Sequence, residues 1–224
     1  ATRETVERVE RMKVTTCLNP LHTCLAVFGC LLNFETIWQE MNDEDLKALV
    51  NRIGYVEGMP VVTDPGIMSP KTFLGEVLTV RLPNCFLPDT PQRIATDTSQ
   101  KLSIRFGETI KAYLEKGMDV SNLKGIALVE AGWLRYLMGV DDNGSEMAIS
   151  PDPRLDEMKS RLAGVSFGHN ENAEKALTPI LEDESIFGVS LVKAGLADSV
   201  IEHFKRMNAA PGAVRAEIHS VAIA

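Results

Sequence analysis

No glycine-rich phosphate loop occurs in this chain. Its 16 glycines never fall into G-x-G-x-x-G after a strand-like run, so no segment offers the tight turn and bare backbone N–H groups that cradle a pyrophosphate. Cysteine is scarce and unpaired. Cys17, Cys24, Cys30 and Cys85 form no C-x-x-C, and three of the four fall in one apolar stretch. That usage reads as reduced, buried thiols in a cytoplasmic protein. Zinc held by Cys17, His22 and Cys24 has no recognised ligand spacing, so no metal is expected. Positive charge is outweighed: 23 Lys and Arg face 31 Asp and Glu, a formal net charge of -8. This argues against nucleic acid or anionic membrane as partner and leaves room for a small acidic ligand in a locally basic pocket. No secretory signal is read, and the longest apolar run, Leu21 to Leu32, is too short and interrupted to span a membrane. Repeats, low-complexity tracts and linkers are missing too. The 224 residues are expected to form one domain, 1–224. They begin at Ala1, without Met, directly in a charged helical pattern, which points to a piece of a longer chain.

What is present is helical periodicity. Val6, Val9 and Met12 share one face of an amphipathic segment over residues 3–13. Asn19-Pro20 reads as a capped helix start, because Asn accepts from orphan backbone N–H groups and Pro has no N–H to lose. From there Leu21, Leu25, Phe28 and Leu32 recur at helical spacing to about Phe34. Asp43 opens a helix with Leu46, Leu49, Val50 and Ile53 inward. Gly54 to Gly66 reads as loop. Ser69-Pro70 and Thr90-Pro91 repeat the cap-then-proline signal, the second for a long helix to about Lys116. The β-branched run Val77 to Val80 permits a strand, though helix is favoured. Pro83 to Pro88 is a rigid turn. Further helices are expected over 121–138, 154–162, 172–181 and 191–207, with a surface loop at Asp141 to Pro153 and a short tail after Pro211-Gly212. The opening of that loop, DDNG, reads as an ordinary turn rather than a calcium loop. The fold class is all-α, a single domain of roughly eight to ten helices.

Two constellations carry chemistry. His22 and Asn19 lie three residues apart at the mouth of the buried helix, and Lys13 approaches from a segment upstream. A partly buried lysine can act as a base, while an amide and an imidazole can donate to a developing oxyanion. The plainer alternatives are a satisfied core histidine, a simple cap and a lysine meeting a helix end. The second constellation is Arg93, Asp97 and Lys101, four apart on the helix from Thr90, with Thr96, Ser99 and Gln100 beside them. It reads either as an exposed salt-bridge ladder or as a hydroxyl- and amide-rich surface with cations for a polyhydroxylated ligand. Arg81 and Arg105 bracket it.

Together these stretches resemble a known family. RMKVTTCLNPLHT resembles the Lys…Asn-x-x-His signature of the polyol-specific long-chain dehydrogenases, the mannitol dehydrogenase and fructuronate reductase family. RLPNCFLPDTPQRIATDTSQK resembles its substrate-binding segment, and WLRYLMGVDDNG and SIFGVSL resemble later stretches in the same order. The resemblance implies a helical C-terminal substrate domain and NAD- or NADP-dependent hydride transfer between a secondary alcohol and a ketone, without metal. It implies Lys13 as general acid/base, Asn19 and His22 as groups that orient and stabilise the reacting oxygen, and Arg93 and Lys101 as substrate ligands. Two departures stand out. Lys13 and Asn19 are one residue further apart than in the family pattern, which on one continuous α-helix would rotate Lys13 by about 100°. Nothing here resembles the family's N-terminal dinucleotide-binding domain, so the cofactor is expected to be held mainly there, and that domain is the expected protein partner. The wording is closer to the hexuronate branch, acting on fructuronate and mannonate, than to the hexitol branch. The alternative of another class is a non-catalytic helical interaction domain.

Overall fold

The computed structural model describes residues 2–224 and bears out the all-α expectation: fourteen α-helical segments and no sheet, with only two isolated β-bridges among the described residues. In chain order the helices are α1 (Arg3–Met12), α2 (Asn19–Leu31), α3 (Ile37–Glu40), α4 (Glu44–Asn51), α5 (Pro70–Glu76), α6 (Pro91–Ala95) and α7 (Glu108–Glu115). They continue as α8 (Lys124–Tyr136), α9 (Leu155–Leu162), α10 (Ala173–Leu181), α11 (Glu184–Phe187), α12 (Leu191–Ala194), α13 (Ala197–Met207) and α14 (Ala213–Ala222). Four π-helical segments interrupt or extend them, at Lys13–Cys17, Arg52–Gly58, Val77–Arg81 and Ser103–Gly107.

The count exceeds eight to ten because segments read as single helices are broken. The expected helix from Thr90 to Lys116 stops at Ala95, where Asp97 takes a left-handed conformation with φ 56°. It restarts as a 3-10 turn at Thr98–Gln100, passes through the π segment at Ser103–Gly107, and becomes α7. The helix expected over 191–207 is split by Gly195 at φ 82°, where a left-handed residue ends α12. Gly54 to Gly66 is not all loop, since Arg52–Gly58 is π-helical and Met59–Val61 is 3-10. The tail after Pro211-Gly212 forms α14, whose apolar residues Val214, Ile218 and Val221 are buried.

Local chemistry explains many of the starts. Asp43, Ser69 and Thr90 each accept a hydrogen bond from the backbone N–H three residues on, as caps should. At α8 the cap comes from elsewhere in the chain. The Glu57 carboxylate accepts from Gly125 N at 2.7 Å and Ile126 N at 2.9 Å, and from Arg52 Nε at 2.9 Å. A negative group on those orphan donors also meets the positive end of the helix.

Two helices form the centre. Every residue of α2 from Thr23 to Leu31 is buried, and so is every residue of α8 from Gly125 to Tyr136. Helices apolar on all sides are core elements, not surface ones. The run Arg3–Leu31 is long and apolar enough by composition to cross a membrane, but 83% of its most apolar window is buried in the protein. Its C-terminal part, α2, is buried on every side and is a core helix of this domain, whereas α1 is mostly exposed. Helix α8 packs on α13 and on α2, and Trp133 meets Phe187 edge-on with centroids 6.0 Å apart. Loop 141–153 is more than surface. Arg135 is fully buried, donates to the carbonyls of Met207, Val140 and Asp141, and lies over the Phe167 ring. The Asp141 and Asp142 carboxylates are taken up by backbone N–H groups of Asn143 and Ser145 and of Val214 and Arg215, which is turn and cap chemistry. Of the cysteines, Cys17, Cys24 and Cys30 are buried and reduced as expected, whereas Cys85 is exposed.

One close approach fixes the segment that carries Arg105. A Cβ on Gly107 would lie 2.1 Å from the Phe187 carbonyl oxygen, a backbone atom that cannot turn away. Alanine gains up to about 1 kcal/mol in helix propensity over glycine, but overpacking costs about 1–3 kcal/mol or more. Gly107→Ala is therefore expected to lower the unfolding free energy measured by urea titration. An unchanged or raised midpoint would contradict this packing.

Candidate functional site

The candidate site lies at the N-terminus of α2. Asn19 is the first helical residue, preceded by Leu18 at φ -135° and ψ -65°. Its side chain does not cap the helix, contrary to the sequence expectation, and makes no hydrogen bond among the described residues. The amide is therefore free for a ligand. His22 sits one turn on, half-buried, and its ring likewise has no hydrogen-bond partner among the described residues.

Lys13 opens the π segment Lys13–Cys17, which packs on α2 and is closed by Leu18 N donating to the Lys13 carbonyl at 3.1 Å. A π turn holds one more residue than an α turn, and such bulges often mark functional places. The extra residue between Lys13 and Asn19 is absorbed there and at the Leu18 break, not as a rotation of one continuous helix. The Lys13 ammonium pairs with Glu10 Oε1 at 3.1 Å, and its side chain is 31% exposed.

The second constellation folds differently from its reading as one helix face. Because the chain turns at Asp97, Arg93, Asp97 and Lys101 do not share a helix. Arg93 on α6 pairs with Asp89 and keeps a mostly exposed side chain. Lys101 turns back, donating from Nζ to the Ile94 carbonyl at 3.0 Å and to the Thr96 carbonyl, so it satisfies the open end of α6. Burial, then the nearby charge of Arg105, holds its pKa below the usual lysine value. Nor is the hydroxyl-rich surface free. Thr98 and Ser99 are buried, and Ser99 gives both N–H and hydroxyl to the Asp152 carboxylate, at 2.8 and 2.5 Å. The only sequence signal for that partnership was the acidic residue between Pro151 and Pro153.

Two cations that bracket the motif, Arg81 and Arg105, act on His22. The π segment Ser103–Gly107 packs on both Lys13–Cys17 and α2, and α6 packs along α2. Arg105 Nη1 donates to Thr23 Oγ1 at 2.6 Å, beside His22. Burial, followed by the charges of Arg81, Arg105 and Arg93, pushes the His22 ring from 6.5 down to about 4. Burial alone brings Arg105 down to about 10. So the segments bearing Lys13, Asn19 with His22, and Arg105 pack on one another, and α6 with Arg93 packs along α2; Arg81 and Arg93 reach the His22 ring through their charge, and Lys101 lies near Arg105. The arrangement sets a neutral imidazole among several cations, one helical turn from the Asn19 amide. It suits an oxygen-rich anion whose reacting oxygen needs a hydrogen-bond donor. A cavity of about 600 Å³ lies elsewhere, between Leu137–Ile149 and Leu155–Val165, and holds none of these groups.

These features define an all-helical domain with a cationic site at a buried helix N-terminus. The model of the mannitol dehydrogenase C-terminal domain matches residues 5–208, and the chain belongs to that family. It is 57% identical over 220 residues to the D-mannonate oxidoreductase of Thermotoga maritima, covering 98% of this chain and 41% of that protein. It is 29% identical to the D-mannonate oxidoreductase of Escherichia coli, over 78% of this chain and 35% of that one. Its fold matches mannitol 2-dehydrogenase of Pseudomonas fluorescens, solved with NAD and D-mannitol, at TM-score 0.76 and 24% identity, over 97% of this chain and 40% of that one. The chain thus spans about two fifths of the length of the first of these relatives.

A neutral His22 is a direct consequence of this surrounding. In a pH titration followed by NMR, its ring is expected to titrate near 4, and Arg81→Gln or Arg105→Gln to raise that value. Sign follows: a depressed histidine pKa means the unfolded chain binds the extra proton between 6.5 and about 4, so this residue's contribution to stability falls as pH drops through that window. A ring titrating at 6.5 or above would contradict the arrangement.

Proposed function

We propose that this chain is the substrate-binding and catalytic domain of an NAD-dependent D-mannonate oxidoreductase, interconverting D-mannonate and D-fructuronate. The observation that carries the reading is the packing of the lysine, Asn-His and arginine–lysine segments around the start of α2. Similarity to the Thermotoga maritima D-mannonate oxidoreductase over 98% of the chain supports the choice of substrate. The free thiols suit a cytoplasmic enzyme.

The chain's own residues supply the substrate half of the reaction. Among the described residues there is no parallel sheet and no glycine-rich loop after a strand to hold a dinucleotide. The cofactor would therefore be held by a separate domain of the intact protein; when bound, it supplies the hydride acceptor or donor. The Lys13 amine takes the proton of the substrate hydroxyl during oxidation and returns it during reduction. The Asn19 amide and the neutral His22 ring donate to the same oxygen and stabilise charge as it develops. Lys101 has two of its three N–H donors on carbonyls, which fixes the ammonium and leaves one for a substrate oxygen. Arg93, anchored by Asp89, retains free guanidinium donors for another.

The test is spectrophotometric, following NADH oxidation with D-fructuronate. The intact enzyme is expected to turn over and the isolated chain is not. Lys13→Ala in the intact enzyme is expected to lower kcat by about a hundredfold or more. An intact enzyme inert towards fructuronate and mannonate would sink the proposal, and an unchanged kcat in the lysine variant would end that residue's role.

A further inference from the structure

The cations around His22 are not equivalent. Arg93 has Asp89, and Lys101 has two backbone carbonyls. Arg105 is half-buried, and its recorded side-chain partner is the neutral hydroxyl of Thr23. Among the described residues no carboxylate lies within ion-pair distance of it. The Arg81 side chain, at the end of the π segment Val77–Arg81, has neither a hydrogen bond nor an ion pair among the described residues. A partly desolvated guanidinium with no counter-charge is costly to keep. Elsewhere the fold avoids that cost. Arg52 and Arg154 each have a carboxylate, and buried Arg135 has three carbonyls and an aromatic face. In a chain with net charge -8, a half-buried guanidinium left without an anion close to His22, with the exposed Arg81 adding a second positive charge there, marks a place kept for an anion.

We propose that Arg105, with the exposed Arg81 as a second cation near His22, forms a carboxylate subsite, so that the domain selects a sugar acid over a neutral polyol. This rests on the dehydrogenase reading above and adds the residues that set its substrate class. A planar carboxylate can accept paired N–H donors from a guanidinium, which a hydroxyl cannot match. Arg93 and Lys101, already tied to protein oxygens, are left for hydroxyl groups common to both substrate classes.

The experiment uses the intact enzyme and its Arg105→Gln, Arg105→Lys and Arg81→Gln variants. kcat/KM is measured for D-mannonate and D-mannitol, and the His22 ring is followed by NMR during titration with each. Arg105→Gln is expected to lose about ten- to a hundredfold in kcat/KM on D-mannonate, chiefly through KM, and little on D-mannitol. Lysine at that position should restore part of the loss. D-mannonate should raise the His22 pKa by bringing a negative charge among the arginines, and D-mannitol should not. Should Arg105→Gln fail to fold, the exposed Arg81→Gln variant and the wild-type NMR titration carry the same test. Equal losses on both substrates, or no rise of the His22 pKa with mannonate, overturn the subsite while leaving the dehydrogenase standing. A wild-type enzyme that prefers mannitol does the same. An enzyme inactive on both sugars removes the proposed function and the subsite with it.

Discussion

Everything at the site depends on one close contact between α2 and the chain that runs back along it. A Cβ on Gly29, near the C-terminal end of α2, would lie 2.6 Å from Pro91 Cγ and 2.4 Å from Glu40 Oε1. With only a hydrogen there, the start of α6 sits directly on the buried helix. From that anchor the chain returns towards the helix N-terminus, where Arg105 bonds Thr23. The step of seven residues from His22 to Gly29 makes about two helical turns, or roughly 10 Å. Packing at one end thus sets which charges stand at the other. The lysine at the end of α6 and the Ser99–Asp152 contact lock the return path, while Ser150 bonds the Gln92 carbonyl.

Buried charge is treated in two ways in this molecule. Where it is structural, it is fully partnered: Glu57 accepts from two backbone N–H groups and Arg52, and Arg135 bridges three carbonyls. Glu130 and Glu40 take another route. Each is buried with no partner for its carboxyl oxygens among the described residues, and burial raises both pKa values well above the usual range, favouring the neutral acid. Around His22 neither solution is applied. There the imidazole is kept neutral by burial and by positive neighbours, and the cations keep open donors. A positive environment lowers the proton affinity of a base and favours an anionic ligand by the same Coulomb interaction.

The sequence showed the elements better than their junctions. Cap-then-proline starts at Ser69 and Thr90 were legible because capping is local chemistry, and α2 was legible from its periodicity. The break after Ala95 was not. Its cause is a left-handed Asp97 whose N–H goes to Pro151, a partner far along the chain. That break dissolves the Arg93–Asp97–Lys101 ladder and turns Lys101 inward. The π segments were equally hidden, since no residue pattern distinguishes an extra residue in a turn from one at its end. Lys13, Asn19 and His22 were singled out by a motif, but the weight of Arg105 came only from knowing what it lacks. Helix α14 was missed because its start is capped by Asp142, distant in sequence, and not by a neighbouring residue.

The central claim is that the start of α2 is where the sugar reacts. A crystal structure of the intact enzyme with D-mannonate and oxidised cofactor tests it most directly. The account requires the hydroxyl that is oxidised to lie within hydrogen-bond distance of Asn19, His22 and the Lys13 amine. A sugar seated in the cavity between Leu137–Ile149 and Leu155–Val165, or one lying over α2 with Lys13 still held by Glu10 and remote from every substrate oxygen, would contradict it.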